Sequence, residues 1–176
     1  MVGTRVVVGV VIGSPTFRGM VNAAPAARRA TIDDASAVAR LLHDFNSEFD
    51  TPSPGEGVLT SRLRRLLAAD DTLAMVAGEP PHAVALVTLR PNVWYDGPVA
   101  LLDELYVAPS LRGRGIGTEV VDLLLDTLRA RDVELIEINV DADDVGARRF
   151  YERHGFTGVE PTTGDHALYY VKQLER

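Results

Sequence analysis

The sequence contains no cysteine, so disulfides, thiolate metal ligands and a cysteine nucleophile are excluded from its chemistry. Histidine is sparse as well. His43, His82, His154 and His166 are scattered without metal-ligand spacing, and no metal site is expected. No apolar run approaches the roughly 20 residues that would span a bilayer, which predicts a cytoplasmic protein with no membrane partner. Positive charge is in deficit: 18 Lys and Arg against 25 Asp and Glu leave a formal charge of −7. That is the wrong sign for a protein that coats nucleic acid. What is present is 176 residues, enough for one domain that buries roughly two thirds of its unfolded surface.

The opening segment, MVGTRVVVGVVIGSPTFRGMVNAAPAARR, loosely imitates a secretory signal, with Arg5, a short apolar run over 6–12 and Ala-Pro-Ala at 24–26. Pro15 and Arg18 interrupt the space between that run and a cleavage site. Residues 1–27 are therefore read as an N-terminal extension, flexible or dispensable. An extra edge strand over 6–12 and a working start at Met20 stay open as alternatives.

Residues 28–176 are expected to form a single mixed α/β (α+β) domain. An N-cap at Asp33 or Asp34 followed by Val38, Leu41, Leu42 and Phe45 predicts a first helix. DTPSPGEG ends it, and Leu59, Leu63, Leu66 and Leu67 form a second helical stripe. DTLAMVA and HAVALVTL read as a hairpin joined across GEPP, and VALLDELYV reads as a central strand. Ile116, Val120, Val121, Leu124, Leu125 and Leu128 mark one face of a third helix. VELIEINV is a strand, a short helix over about 145–154 stops at Gly155, and HALYYVKQL is a last strand. Strands and helices in this order predict a largely antiparallel central sheet flanked by helices.

Between the central strand and the third helix lies Arg112-Gly113-Arg114-Gly115-Ile116-Gly117, followed by Thr118. Glycines let backbone N–H groups converge on an anion at a helix N-terminus, and two arginines add charge. A Walker A loop is excluded because its lysine is missing. A Rossmann turn is excluded because counting from Gly113 puts Thr118 where the last glycine belongs. An ordinary tight connection with solvated arginines is the remaining structural alternative.

Arg-x-x-Gly-x-Gly directly after LYV resembles the pyrophosphate-binding motif of the GNAT superfamily of N-acetyltransferases, which use acetyl-coenzyme A as cosubstrate. Downstream, EINVDADDVGARRFYERHGF resembles the second motif of that superfamily, with its aromatic-Tyr-Glu-x-x-Gly-Phe signature. Ala147 and Tyr151 lie four apart on one helix face, so a small residue leaves room beside a phenol. The resemblance implies a GNAT-like fold and direct acetyl transfer to a primary amine of a small molecule, such as a polyamine, an aminoglycoside or an amino-acid derivative. A protein or peptide acceptor, and a non-catalytic acyl-coenzyme A sensor, are the alternatives.

By the same resemblance, Tyr151 would protonate the departing thiolate. Asp103, which shares strand parity with Leu105 and Val107, is the first choice of base, and Glu104 is the second. Strand alternation places these two acids on opposite faces. The backbone of Leu105, Tyr106 and Val107 would pair with the pantetheine arm, and Arg112 to Thr118 would hold the diphosphate. Asn139 and Asp144 would contact the cofactor. Asp144 stands where many members carry Asn, and it would equally cap the short helix. The acceptor site implied by the resemblance draws on Phe45, Glu48, Phe49, Asp50, Glu56, Trp94, Tyr95 and Asp96, where acids and aromatics together suit a cationic amine. The rings of Trp94 and Tyr95 would alternatively pack on a second copy in a homodimer.

Overall fold

A computed structural model describes residues 26–160 and 162–174. The expectations for the opening segment lie outside the described residues. The chain runs through β1 (Ala27–Arg29), α1 (Ala35–Glu48), α2 (Glu56–Leu67), β2 (Thr72–Ala77), β3 (Ala83–Arg90), β4 (Val99–Val107), α3 (Ile116–Arg129), β5 (Leu135–Ile138) and α4 (Val145–Arg153). The strands form one sheet in the order β1-β2-β3-β4-β5. Pairing is antiparallel from β1 to β4, and β5 joins β4 in parallel.

Helices cover both faces, which explains why all six residues of β2 are buried and why TLAMVA reads as a continuous apolar run. Leu73, Met75 and Ala77 enter the core beneath α3 and α4, with Ile116, Val120, Val121, Leu124 and Phe150. Ala74 and Val76 enter a second core beneath α1 and α2, with Val38, Leu41, Leu42, Phe45 and Leu63.

Two local readings change. The expected aspartate cap on α1 does not form: Asp34 is at the N-cap but its side chain makes no capping bond. Its carboxylate turns back to accept from Thr31 N at 2.8 Å and from both arms of the Arg28 guanidinium at 2.8 Å. Those bonds, Arg28 first, hold the Asp34 carboxyl down at about 2.

The expected last strand also does not form among the described residues. Among the described residues only a single bridge, Val159 to His166, forms in this region. Leu168, Tyr169, Tyr170, Val171 and Leu174 are 60–84% exposed. Strand-forming side chains need a neighbouring edge and an apolar face, and this stretch meets neither among the described residues.

Candidate active site

The centre of the site is an irregularity in β4. Val87 of β3 pairs with Leu102, and the adjacent Leu86 pairs with Glu104, so Asp103 is an extra residue and β4 bulges there. Ala100 and Leu102 face the α3 core before the bulge, and Leu105 and Val107 face it afterwards. The parity switch puts Asp103 and Glu104 on the same side, facing α1 and α2, which corrects the expectation of opposite faces. Thr88 Oγ1 donates to Asp103 Oδ2 at 2.5 Å, and Tyr106, next along that face, is in the α1 core. The apolar alternation itself carries the signal, since it shifts from even to odd positions between Leu102 and Leu105.

Burial raises the pKa of the Asp103 carboxyl, and the Thr88 bonds work against that rise. Glu104 is pushed up to about 8, by burial first and then by the neighbouring Asp103 charge. Glu104 Oε2 has no hydrogen-bond partner although it is buried, and the same holds for the Tyr151 hydroxyl. Tyr151 is 2% exposed. Its phenol is raised well above the usual value by burial, then by the Asp144 charge, then by Glu104. A buried polar atom without a partner costs free energy unless something else completes it.

β5 pairs with β4 only through Val99 to Leu102, ending at Leu102 with Ile138. From Asp103 onward the β5-facing edge of β4, including Leu105, Tyr106 and Val107, has no strand partner among the described residues. Asn139 follows directly on β5 and is half-buried. Asp144 caps α4, accepting from Ala147 N at 2.8 Å. Ala147 is fully buried on the same face as Tyr151, whose ring meets Phe150 and Phe156 edge-on.

At the C-terminal end of β4 the chain makes a short 3-10 turn, Pro109–Leu111, and then enters the glycine-arginine segment. Gly113 and Gly115 have φ of 74° and 85°, a left-handed conformation that side chains resist. Gly115 is the N-cap of α3, and the first intrahelical donor is Glu119 N, bonded to Gly115 O at 3.0 Å. The N–H groups of Ile116, Gly117 and Thr118 precede that bond and face outward from the helix start. The Arg114 guanidinium is exposed and reaches Ser110 O at 3.3 Å.

The two sides of the site meet at Arg112, whose Nε donates to Val107 O at 2.8 Å. Its two terminal nitrogens donate to the Glu48 carboxylate at 2.6 and 2.7 Å. Glu48, expected to face a cationic acceptor, is therefore already paired. Phe45, also expected in the acceptor wall, is a core side chain at 3% exposure, packed against Phe49 and Tyr106. Trp94, Tyr95 and Asp96 lie in the loop before β4, at the opposite end of that strand from the glycine turn. Asn92 organises this loop by accepting from Trp94 N and Tyr95 N at 2.8 and 2.9 Å. No group of His, Asp or Glu suited to a metal occurs among the described residues. No described helix is long and apolar enough to cross a membrane.

The sheet is covered by helices and opens between two parallel strands, with a glycine-arginine turn and a helix N-terminus at one end, an arrangement whose main-chain N–H groups suit an anion. Residues 38–156 match the Acetyltransferase (GNAT) family, and the chain belongs to that family. It is similar to a putative acetyltransferase from Arthrobacter sp. FB24, 49% identical with a TM-score of 0.80, over 90% of this chain and 100% of that one. It is also similar to the mycothiol acetyltransferase of Corynebacterium glutamicum strain R, 31% identical over 74% of this chain and 45% of that protein. A 40% identity to the mycothiol acetyltransferase of Beutenbergia cavernae covers 40% of this chain and 25% of that protein. The chain thus spans less than half the length of these two relatives. An aminoglycoside acetyltransferase from an uncultured soil metagenomic sample, solved with sisomicin, shares the fold at 18% identity and a TM-score of 0.69.

Proposed function

We propose that the protein transfers an acetyl group from acetyl-coenzyme A directly to a primary amine of a small molecule. The observation that carries this reading is the pair of buried, unpartnered atoms, Glu104 Oε2 and Tyr151 OH, beside a β4 edge that leads to the glycine turn. Main-chain N–H groups of Gly113 to Thr118, together with the Arg114 guanidinium, suit the diphosphate. The free edge of Leu105 to Val107 suits the amides of the pantetheine arm, with Asn139 and Asp144 flanking that path. Acetyl-coenzyme A supplies a thioester carbonyl and a thiolate leaving group.

Glu104, ionised, takes a proton from the incoming ammonium, directly or through one water, and frees the nitrogen lone pair. The amine nitrogen bonds to the acetyl carbon as the carbon–sulfur bond breaks, the Tyr151 hydroxyl gives its proton to the departing sulfur, and the second proton of the acylated nitrogen, released through water as the amide forms, restores the Tyr151 phenol. A phenol held well above its usual pKa stays protonated for that step at neutral pH. Asp103, tied to Thr88, keeps negative charge beside Glu104 and so raises its basicity. This assignment exchanges the expected order of the two acids: Glu104 is the base and Asp103 its neighbour.

Relatives named for mycothiol and aminoglycoside acetylation support a small polar amine as acceptor. The availability of acetyl-coenzyme A there supports a cytoplasmic setting. The test is calorimetric titration of acetyl-coenzyme A followed by thiol release across polyamines, aminoglycosides and amino-acid amides. Amine-dependent thiol release supports the reading. Tight binding without release from any amine or peptide would instead assign a sensor of acyl-coenzyme A.

A further inference from the structure

Arg112 opens the glycine-arginine segment, yet its side chain is turned away from a ligand role. It is 10% exposed and holds Glu48 through two parallel bonds at 2.6 and 2.7 Å, while Nε holds Val107 O at 2.8 Å. Its carbon Cζ lies 5.5 Å from the centre of the Tyr106 ring. Three of its donors and one face of its plane are thus committed within the protein, in the forked geometry that a lysine cannot reproduce. Arg114 is exposed and spends one weak bond on Ser110 O.

Glu48 is the last residue of α1. The segment that follows is fastened to the end of that helix: Thr51 N donates to Asn46 O at 2.8 Å, Asn46 Nδ2 donates to Pro52 O at 3.2 Å, and His43 Nδ1 bonds Ser53 Oγ at 2.9 Å. Whatever holds Glu48 therefore holds residues 49–55. Phe45 of α1 packs on Tyr106, so the clamped end of α1 stands against the end of β4, at a residue that shares a sheet face with Glu104.

We infer that Arg112 is a positioning residue that clamps the end of α1, and with it the 49–55 segment, against the end of β4 at Tyr106 and Val107, leaving the diphosphate to the main-chain amides and Arg114. The inference rests on the acetyl-coenzyme A reading only for the identity of the anion. Glu48→Gln, Arg112→Gln, Arg112→Lys, Arg114→Gln and the Glu48→Gln/Arg112→Gln double variant are compared by amide hydrogen exchange over residues 49–55 and by calorimetric titration with coenzyme A.

Glu48→Gln and Arg112→Gln each lower protection over 49–55 by about fivefold or more. The double variant loses no more than the larger single loss, because both act on one interaction. Arg112→Lys recovers part of the protection by keeping a charge for Glu48. Coenzyme A affinity changes by less than about threefold in these variants and falls by about tenfold in Arg114→Gln. Unchanged protection in Glu48→Gln overturns the clamp, and so does a tenfold loss of coenzyme A affinity in Arg112→Gln with none in Glu48→Gln. If Arg112→Gln fails to fold, Glu48→Gln alone decides the matter by its protection. Wild-type protein that binds no coenzyme A sinks the cofactor reading, and the exchange data still decide the clamp.

Discussion

Replacing Glu104 with Gln removes one proton-accepting site while keeping the size and hydrogen-bonding shape of the side chain. With its carboxyl at about 8, roughly one Glu104 in ten is ionised at pH 7. General-base help is worth about two to four orders of magnitude, so kcat/KM should fall by about that factor above pH 8. The acceptor amine also titrates, and dividing wild-type by variant rates at each pH cancels its contribution. That ratio should rise about tenfold per pH unit below 8 and level off above it. Folding supplies a second readout. Between about pH 5 and 8 the folded wild type holds a proton that the unfolded chain has released, so stability falls by roughly 1.4 kcal/mol per pH unit as pH rises. The contribution is whole below the unfolded pKa and is lost as pH passes the folded one. Glu104→Gln lacks this loss and should overtake wild type in denaturant melts at pH 8. A rate ratio that ignores pH would refute the assignment. So would a large loss in Asp103→Asn with little in Glu104→Gln, which would return the base role to Asp103.

Tyr151→Phe should cut turnover by about a hundredfold or more with coenzyme A affinity within about twofold, and its Tm should not fall, because the deleted hydroxyl has no partner in the fold. An unchanged rate would remove the phenol from the mechanism. Gly115→Val should weaken coenzyme A by more than about tenfold with far-UV circular dichroism preserved, since a β-branched residue at φ 85° costs roughly 1–3 kcal/mol and distorts the helix start. Gly117→Ala is the control: an added Cβ would meet Phe150 and Val107 at ordinary contact distances of 3.5–3.6 Å, so normal binding is expected there. Asp144→Ala removes the α4 cap and should lower stability by about 0.5–2 kcal/mol in urea melts, whereas an unchanged midpoint would mean that the cap carries no weight.

Periodicity made most of the fold legible. Val38, Leu41, Leu42 and Phe45 announced α1, and the glycines and arginines after LYV announced the turn, because local spacing determines both. The 166–174 stretch has the composition of a strand, but pairing is a tertiary property, and no neighbouring edge receives it among the described residues. The bulge at Asp103 left a trace in the sequence, since the apolar positions shift from Ala100 and Leu102 to Leu105 and Val107, but the Leu86 and Val87 pairing is what fixes Asp103 as the extra residue. Glu48 and Arg112 are 64 positions apart, beyond any local pattern. The fold brings that acid and that arginine together in a two-bond ion pair. Trp94 and Tyr95 show the converse, since exposed aromatics suit many partners and composition cannot locate them relative to Glu104.

The central claim is that main-chain amides at the start of α3 grip the diphosphate of coenzyme A while its arm runs along β4. Titration of ¹⁵N-labelled protein with coenzyme A tests it residue by residue. The largest amide shifts should fall on Gly113 to Thr118, with a second group on Leu105 to Val107. Saturable binding that leaves those amides unmoved, or that shifts a different surface, would contradict it.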